Sequence, residues 1–288
     1  MKAIVLHNKG NAYQLKFEEI EIPSISGDEV LVKVKAASIN HLDIWVRKGQ
    51  FPIKYPIILG CEAAGNVMEI GKNVKEFKNG DKVLVIPRII CSKCEYCLQG
   101  NDNLCKNGDI IGVTTNGCYA EYVKAPAQNL LLINDKISYE EAASVPIVFG
   151  TAWRSLISLA KIRPGETVLI QAAGSGVGTA AIQIAKLAGA KVIASAGNDK
   201  KLEKAKSLGA DFIVNYDRNQ DFDIEVREIT NGNGVDVVVE QVGSNILIKS
   251  LKCLKKGGRI VTLGATAGNK VEIDVQYFYR NNLTMMGT

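Results

Sequence analysis

The second half of this sequence alternates short, largely apolar runs with amphipathic segments, and that alternation constrains the fold more than any other feature. The runs are Val168-Leu169-Ile170, Lys191-Val192-Ile193-Ala194, Asp211-Phe212-Ile213-Val214, Val235 to Val239, Arg259 to Leu263 and Leu283 to Met286. A strand that is apolar on both faces needs cover on both, which a parallel sheet between two layers of helices provides. After the first run, Val177, Ala181, Ile184 and Ala188 keep the three-four spacing of one buried helical stripe. Gly189 stands where a left-handed C′ residue would end that helix. Six strands of this kind predict an α/β fold with a complete, doubly wound Rossmann sheet.

The first run leads into Ala172-Ala173-Gly174-Ser175-Gly176-Val177-Gly178. A glycine-rich loop can serve packing alone, and here Ala173 stands where the first glycine of GxGxxG would be. The loop nevertheless follows a buried strand, opens a helix and heads five further strand units, so its N–H groups are placed to hold a pyrophosphate. The second strand then selects the dinucleotide. NAD-binding folds usually end it on an acidic side chain that binds the ribose hydroxyls and repels a 2′-phosphate. Here it ends Ser195-Ala196-Gly197-Asn198, with Lys201 close behind and Tyr216 after the third strand. NADP(H) is expected over NAD(H), and Asp199 is the residue that would argue otherwise.

Before residue 150 the pattern is different. Runs such as Glu29 to Lys35 and Lys82 to Ile86 alternate with Gly- and Pro-based turns, predicting an irregular, mostly antiparallel β domain. The chain therefore divides into a β domain at 1–150 and a dinucleotide domain at 151–288. Within the first lies CSKCEYCLQGNDNLC, with Cys91, Cys94, Cys97 and Cys105. Four thiolates about 2.3 Å from one ion make a closed tetrahedral zinc site, and two-residue gaps let neighbouring thiolates turn onto it. A ferredoxin-like cluster would place its fourth cysteine after three residues and before Pro; here the gap is seven and Lys106 follows. A disulfide framework suits much smaller secreted domains. One structural zinc in a lobe at 91–105 is expected. Cys118 and Cys253 read as small buried hydrophobes, and His7 as a surface residue of an edge strand.

The 288 residues carry a net charge of +5. Lys200, Lys201, Lys204 and Lys206 fall on a solvated helix face, and Lys252, Lys255, Lys256 and Arg259 read as cations crowding a helix C-terminus. Neither group has interleaved aromatics, so no nucleic-acid partner is expected. No run approaches eighteen consecutive apolar residues, so no membrane span is expected, and a cytoplasmic protein is.

A β domain with a four-cysteine lobe, followed by AGSGVG in a Rossmann domain, resembles the medium-chain dehydrogenase/reductase superfamily, which includes zinc alcohol dehydrogenases and quinone oxidoreductases. SINHLDIWVRKG, LGCEAAGNVMEIG, GDKV at Gly80 to Val83, GCYAEY at Gly117 to Tyr122 and VFGTAW at Val148 to Trp153 add to the match. The resemblance covers essentially the whole chain. It implies a GroES-like β domain, a small-molecule carbonyl, enone, quinone or alcohol substrate, and a homodimer or homotetramer joined through the sixth strands. It also implies a further segment after that strand, returning to the β domain.

The informative departures lie where zinc alcohol dehydrogenases hold catalytic zinc. The first two ligands match Asn40 and Cys61, the third falls in Val145 to Val148 with no donor side chain, and the proton-relay hydroxyl matches Leu42. His41, Asp43, Cys61 and Glu62 are potential donors for a rearranged site, whereas Cys61 also reads as a buried structural thiol and Asp43 and Glu62 as groups that orient their neighbours. Zinc-free quinone and enone reductases of the family also carry Asn at the position of Asn40. The resulting expectation is an NADP(H)-dependent oxidoreductase with catalytic candidates Asn40, His41, Asp43, Cys61 and Glu62, His41 being the proton donor. Its cofactor contacts are Thr151, Gly174, Ser175, Gly176, Val177, Gly178, Ser195, Lys201, Tyr216 and Gly264. The alternatives are a zinc-dependent alcohol dehydrogenase with an atypical metal site and a catalytically silent NADPH-binding protein.

Overall fold

Alternating residues of the first half form three small antiparallel sheets. Strands β1 (Lys2–Leu6), β2 (Leu15–Glu19) and β3 (Glu29–Ala37) precede helix α1 (His41–Arg47), and β4 (Ile57–Ile58), β5 (Ala63–Ile70), β6 (Lys82–Val85) and β7 (Arg88–Ile89) follow. Then come α2 (Glu95–Leu98), β8 (Asp109–Ile110), β9 (Tyr122–Pro126), β10 (Leu130–Leu132) and α3 (Tyr139–Ala143). The sheet orders are β10-β6-β5-β3-β9, β2-β1-β4 and β7-β8. In β3, Val30 and Val32 enter the core while Lys33 and Lys35 face solvent. Burying each such apolar side chain stabilises the fold by about 1.5–3 kcal/mol. β1 is central in its sheet and not an edge, because β4 pairs along its second side; His7 lies just beyond its end, exposed, with Nε2 2.7 Å from Glu18 Oε1.

The computed structural model describes residues 1–288 and resolves into two units, Met1–Ile147 and Val148–Thr288. The chain enters the second unit within α4 (Pro146–Trp153), which a π-helical turn at Arg154–Leu159 extends. There follow β11 (Thr167–Ile170), α5 (Gly176–Leu187), β12 (Lys191–Ala196), α6 (Asp199–Ser207), β13 (Phe212–Asn215) and α7 (Phe222–Ile229). The second half adds β14 (Val235–Glu240), α8 (Ser244–Cys253), β15 (Leu254–Thr262), α9 (Val275–Arg280) and β16 (Thr284–Gly287). All six strands are parallel, in the order β13-β12-β11-β14-β15-β16, which is that of a Rossmann sheet with its switch point between the first and fourth strands.

Both faces of this sheet are covered. Val168, Ile170, Val192, Ala194, Val237 and Val239 pack with Ala181, Ile184 and Ala185 of α5. The intervening Leu169, Ile193, Val238 and Ile260 pack with Phe222, Val226, Leu247 and Leu251 of α7 and α8. Helix α5 ends as expected, with Gly189 at φ +77. Cys118 and Cys253 are buried.

One expectation fails. Of the four cations assigned to a helix C-terminus, only Lys252 lies in the last turn of α8. Leu254 is already extended, so Lys255, Lys256 and Arg259 belong to β15, where Lys255 pairs with Asp236 and Arg259 with both oxygens of Glu166. No helix is long and apolar enough to cross a membrane.

Candidate active site and zinc lobe

The first unit gathers a buried polar network around Glu62. Gly60 has φ +95, a left-handed conformation that favours glycine, and a Cβ there would meet the Tyr119 ring at 2.5 Å. Cys61 and Glu62 follow it into the core. The carboxylate of Glu62 accepts from Ser38 Oγ, from Asn40 Nδ2 at 2.7 Å and from the backbone N–H of Ile147 at 2.6 Å. The 145–148 stretch, which has no donor side chain, thus contributes a backbone N–H to the same carboxylate.

Asp43 lies beside this group for a local reason. Asn40 is the N-cap of α1 and Asp43 its N3 residue, so the Asp43 Oδ2 atom accepts from the Asn40 N–H at 2.7 Å, the return bond of a capping box. The same oxygen accepts from the Tyr119 hydroxyl at 2.8 Å, and Oδ1 lies 3.5 Å from Cys61 Sγ. Burial pushes the Cys61 thiol far above its ordinary pKa, and the nearby Asp43 charge and hydrogen bond raise it further. Burial and Asp43 raise the Tyr119 phenol in the same way. Cys61 is thereby held against Asp43, to which its thiol donates.

Asn40, Asp43, Cys61 and Glu62 are therefore brought together by hydrogen bonds. His41 stands apart, exposed, its ring centroid 5.8 Å from that of Trp45. Their donor atoms do not gather as metal ligands; the one group of three or more His, Cys, Asp or Glu side chains that does is Cys91, Cys94, Cys97 and Cys105. Those four ligand atoms all lie within 4.8 Å of one another. Backbone N–H groups of Cys97 and Lys106 lower the Cys94 pKa to about 6, and the N–H of Lys93 lowers that of Cys91. Desolvation and hydrogen bonds from its cysteine neighbours raise Cys97 to about 12. Four sulfurs at this separation, with N–H groups aimed at them, fit a closed zinc site.

In the second unit the glycine loop opens α5. Ser175 is the N-cap, its Oγ accepting from the Gly178 N–H at 3.0 Å. A Cβ on Gly178 would meet the Ala172 carbonyl at 2.5 Å, so helix and strand approach as closely as this fold requires. Lys201 lies across Gly174, its Cβ, Cγ and Cδ all 2.7–2.8 Å from where a Cβ would project there. Gly264 lies beside the Gln241 backbone, Thr151 occupies α4, and Tyr216 sits with Asp217 against Gly197.

Two expectations about this rim change. Ser195 is fully buried and donates to Gln171 Oε1, so its hydroxyl belongs to the network beneath the loop that continues through Gln171 to Ser250. Asp199 is engaged by Arg218 and by Asn215 Nδ2 at 2.9 Å. The carboxylate that reaches Gly197 is that of Asp217, from beyond the third strand. Sequence reading missed it because the contact depends on strand pairing. Ser38 and Tyr119 lay unrecognised inside the SINHLD and GCYAEY motifs, and Gln241 carried no local signal.

Comparisons with known proteins agree with this architecture. Residues 26–135 match the model of the alcohol dehydrogenase GroES-like domain and residues 176–288 that of the zinc-binding dehydrogenases. A sorbitol dehydrogenase of Bacillus subtilis is 35% identical over 295 residues, spanning 100% of this chain and 81% of that protein. An NAD-dependent alcohol dehydrogenase of Sulfolobus acidocaldarius is 36% identical, over 93% of this chain and 78% of its own length. The crystal structure of an NAD-dependent alcohol dehydrogenase superposes with a TM-score of 0.97 at 42% identity, covering 100% of this chain and 84% of that one. With both domain models matched and relatives of this identity aligned over most of their length, the chain belongs to the zinc-type medium-chain dehydrogenase/reductase superfamily, as an NAD(P)-dependent oxidoreductase of the alcohol dehydrogenase-like kind.

Proposed function

We propose that the chain is a cytoplasmic, NADP(H)-preferring reductase of carbonyl, enone or quinone acceptors whose chemistry uses no catalytic metal. The observation that carries this reading is the commitment of Glu62 to Ser38, Asn40 and Ile147 and of Cys61 to Asp43. When bound, the reduced nicotinamide supplies the hydride. Glu62 holds the Asn40 amide nitrogen, which leaves the Asn40 carbonyl oxygen to orient a substrate. His41, exposed at the first position of α1, is the proton donor that completes the reduction. Thr151, the glycine loop, Lys201, Tyr216 and Gly264 position the cofactor. The single zinc is structural and held by the four cysteines.

With no hydroxyl at Leu42 and no convergent metal ligands, nothing in this site lowers the pKa of a bound alcohol. Reduction of an enone or quinone by NADPH is therefore expected to outpace oxidation of simple alcohols in steady-state assays. Two zinc ions per chain, with alcohol oxidation abolished by Cys61→Ala, would establish the zinc-dependent alternative. Absence of turnover with every acceptor would leave a binding protein.

The cofactor preference rests on Lys201 lying across the loop and on the engagement of Asp199 by Arg218. Lys201→Ala is expected to weaken NADPH binding by roughly ten- to a hundredfold in a fluorescence titration and to leave NADH unchanged. Asp217→Asn should widen the preference, because the carboxylate against Gly197 is then gone. Equal affinities for the two cofactors in the unmodified protein would refute the preference, and tighter NADH binding would restore the NADH reading that Asp217 favours.

The assembly reading rests on β16. It is the sheet's edge, hydrogen-bonded on one side to β15, with Met285 40% exposed. Such an edge pairs readily with a second copy, which supports a homodimer, or a tetramer of dimers. Multi-angle light scattering at micromolar concentration should find no monomer.

A further inference from the structure

Gln241 follows β14 immediately and reaches across the switch point to the glycine loop after β11. Its Nε2 lies 2.9 Å from the Gln171 carbonyl, 2.9 Å from Ser175 Oγ and 3.4 Å from the Ala172 carbonyl. Two carbonyl partners identify this atom as the amide nitrogen, so Ser175 Oγ is an acceptor in the third contact. The Gly178 N–H already donates to the same oxygen at 3.0 Å. A serine hydroxyl has two acceptor positions and one hydrogen. Both acceptor positions of Ser175 are filled, and its hydrogen has no acceptor within the protein.

The carbonyls that Gln241 holds flank Ala172, a non-glycine residue at φ +48. A left-handed conformation costs an alanine on the order of 1–2 kcal/mol and persists only where neighbouring contacts fix it.

We propose that Gln241 is a positioning residue of the pyrophosphate site. It fixes the strained Gln171–Ala172 turn and, by donating to Ser175, forces the Ser175 hydroxyl to present its hydrogen outward, to a phosphate oxygen at the N-terminus of α5. The inference rests on dinucleotide binding at this loop and adds a residue outside the glycine motif, which acts through Ser175. A donor committed in advance is worth more than a free rotor, because no orientation remains to be lost when the anion arrives.

The test is a double-mutant cycle read by calorimetric titration with ADP-ribose, which carries the pyrophosphate and lacks nicotinamide. Gln241→Leu and Ser175→Ala should each raise the Kd by roughly tenfold or more. The double variant should be no worse than the poorer single one, because the two residues supply one interaction. Gln241→Glu keeps the size and reverses the polarity: its carboxylate accepts the Ser175 hydrogen, and binding should fall furthest. Melting temperatures of the ligand-free variants report any structural cost separately. A Gln241→Leu variant within twofold of the unmodified protein, or losses that multiply in the double variant, would overturn the proposal. Failure of the unmodified protein to bind ADP-ribose would overturn the dinucleotide site along with it.

Discussion

Replacement of Cys105 by serine is expected to remove the zinc and unfold the lobe around it, leaving the rest of the chain folded. Unmodified protein should carry about one zinc per chain, as a closed four-thiolate site requires, and the variant almost none. The reason lies in how little else holds the segment. Helix α2 has four residues and the 3-10 turn at Asp102–Leu104 three, and neither contains a buried residue. Leu98 is 76% exposed. With so little apolar surface buried, the lobe has no core of its own. Metal binding in comparable small zinc motifs contributes about 10–16 kcal/mol of apparent free energy at neutral pH, which becomes folding free energy. Limited proteolysis should cut the variant between Cys91 and Asp109 and spare the unmodified protein, and strong chelation should reproduce this without mutation. A Cys105→Ser protein that retains a full equivalent of zinc, or resists cleavage there, would contradict the assignment.

Substitution of Glu62 by leucine should cost on the order of 3–9 kcal/mol of stability in urea unfolding, because each of three partly buried donors loses its acceptor at about 1–3 kcal/mol. Ser38, Asn40 and the Ile147 N–H are the groups left unpaired. Glu62→Gln separates folding from function. A glutamine fills the same volume but offers one acceptor oxygen where the carboxylate has two, so one of the three donors faces an N–H₂ group. Ser38 and Asn40 both donate to Oε1, so the glutamine oxygen keeps them and the Ile147 N–H is the donor opposed. This variant should lose less stability than Glu62→Leu and keep kcat/KM within severalfold, because Asn40 stays held. A Glu62→Leu protein within 1 kcal/mol of the original, a loss too small for even one orphaned donor, would show that the network is not the keystone described.

The sequence revealed the parts of this structure whose signals are local. The six strands were readable because both of their faces are apolar, and the lobe because its ligands sit within fifteen residues of one another. The glycine loop was readable from its place between strand and helix. What escaped was set by pairing over long distances. The Ile147 N–H meets Glu62 across 85 positions, and Gln241 meets Ser175 across 66; a backbone donor and an ordinary glutamine leave no pattern to detect. Lys255 and Lys256 were misplaced because cations after an amphipathic segment read as the end of a helix, while the choice of strand came from pairing with β14, which no propensity reports. Arg259 opens the fifth strand run, as its apolar followers indicated. Ser195 was misread for the opposite reason. It stands at the correct end of β12, but alternation along the strand turns its hydroxyl inward.

The strand order has a consequence for synthesis. β11 is made together with β12 and β13, yet its other neighbour is β14; Thr167 donates to Asp236 across 69 positions. A chain emerging from the ribosome therefore carries a three-stranded half-sheet whose inner edge, Val168 to Ile170, is apolar on both faces and open until β14 arrives. During that interval a segment that ends fully buried is adhesive, able to pair with the same edge on a neighbouring nascent chain. Protease cleavage within β11 of chains stalled after Ile229, lost once Glu240 has emerged, is the expected mark of this window.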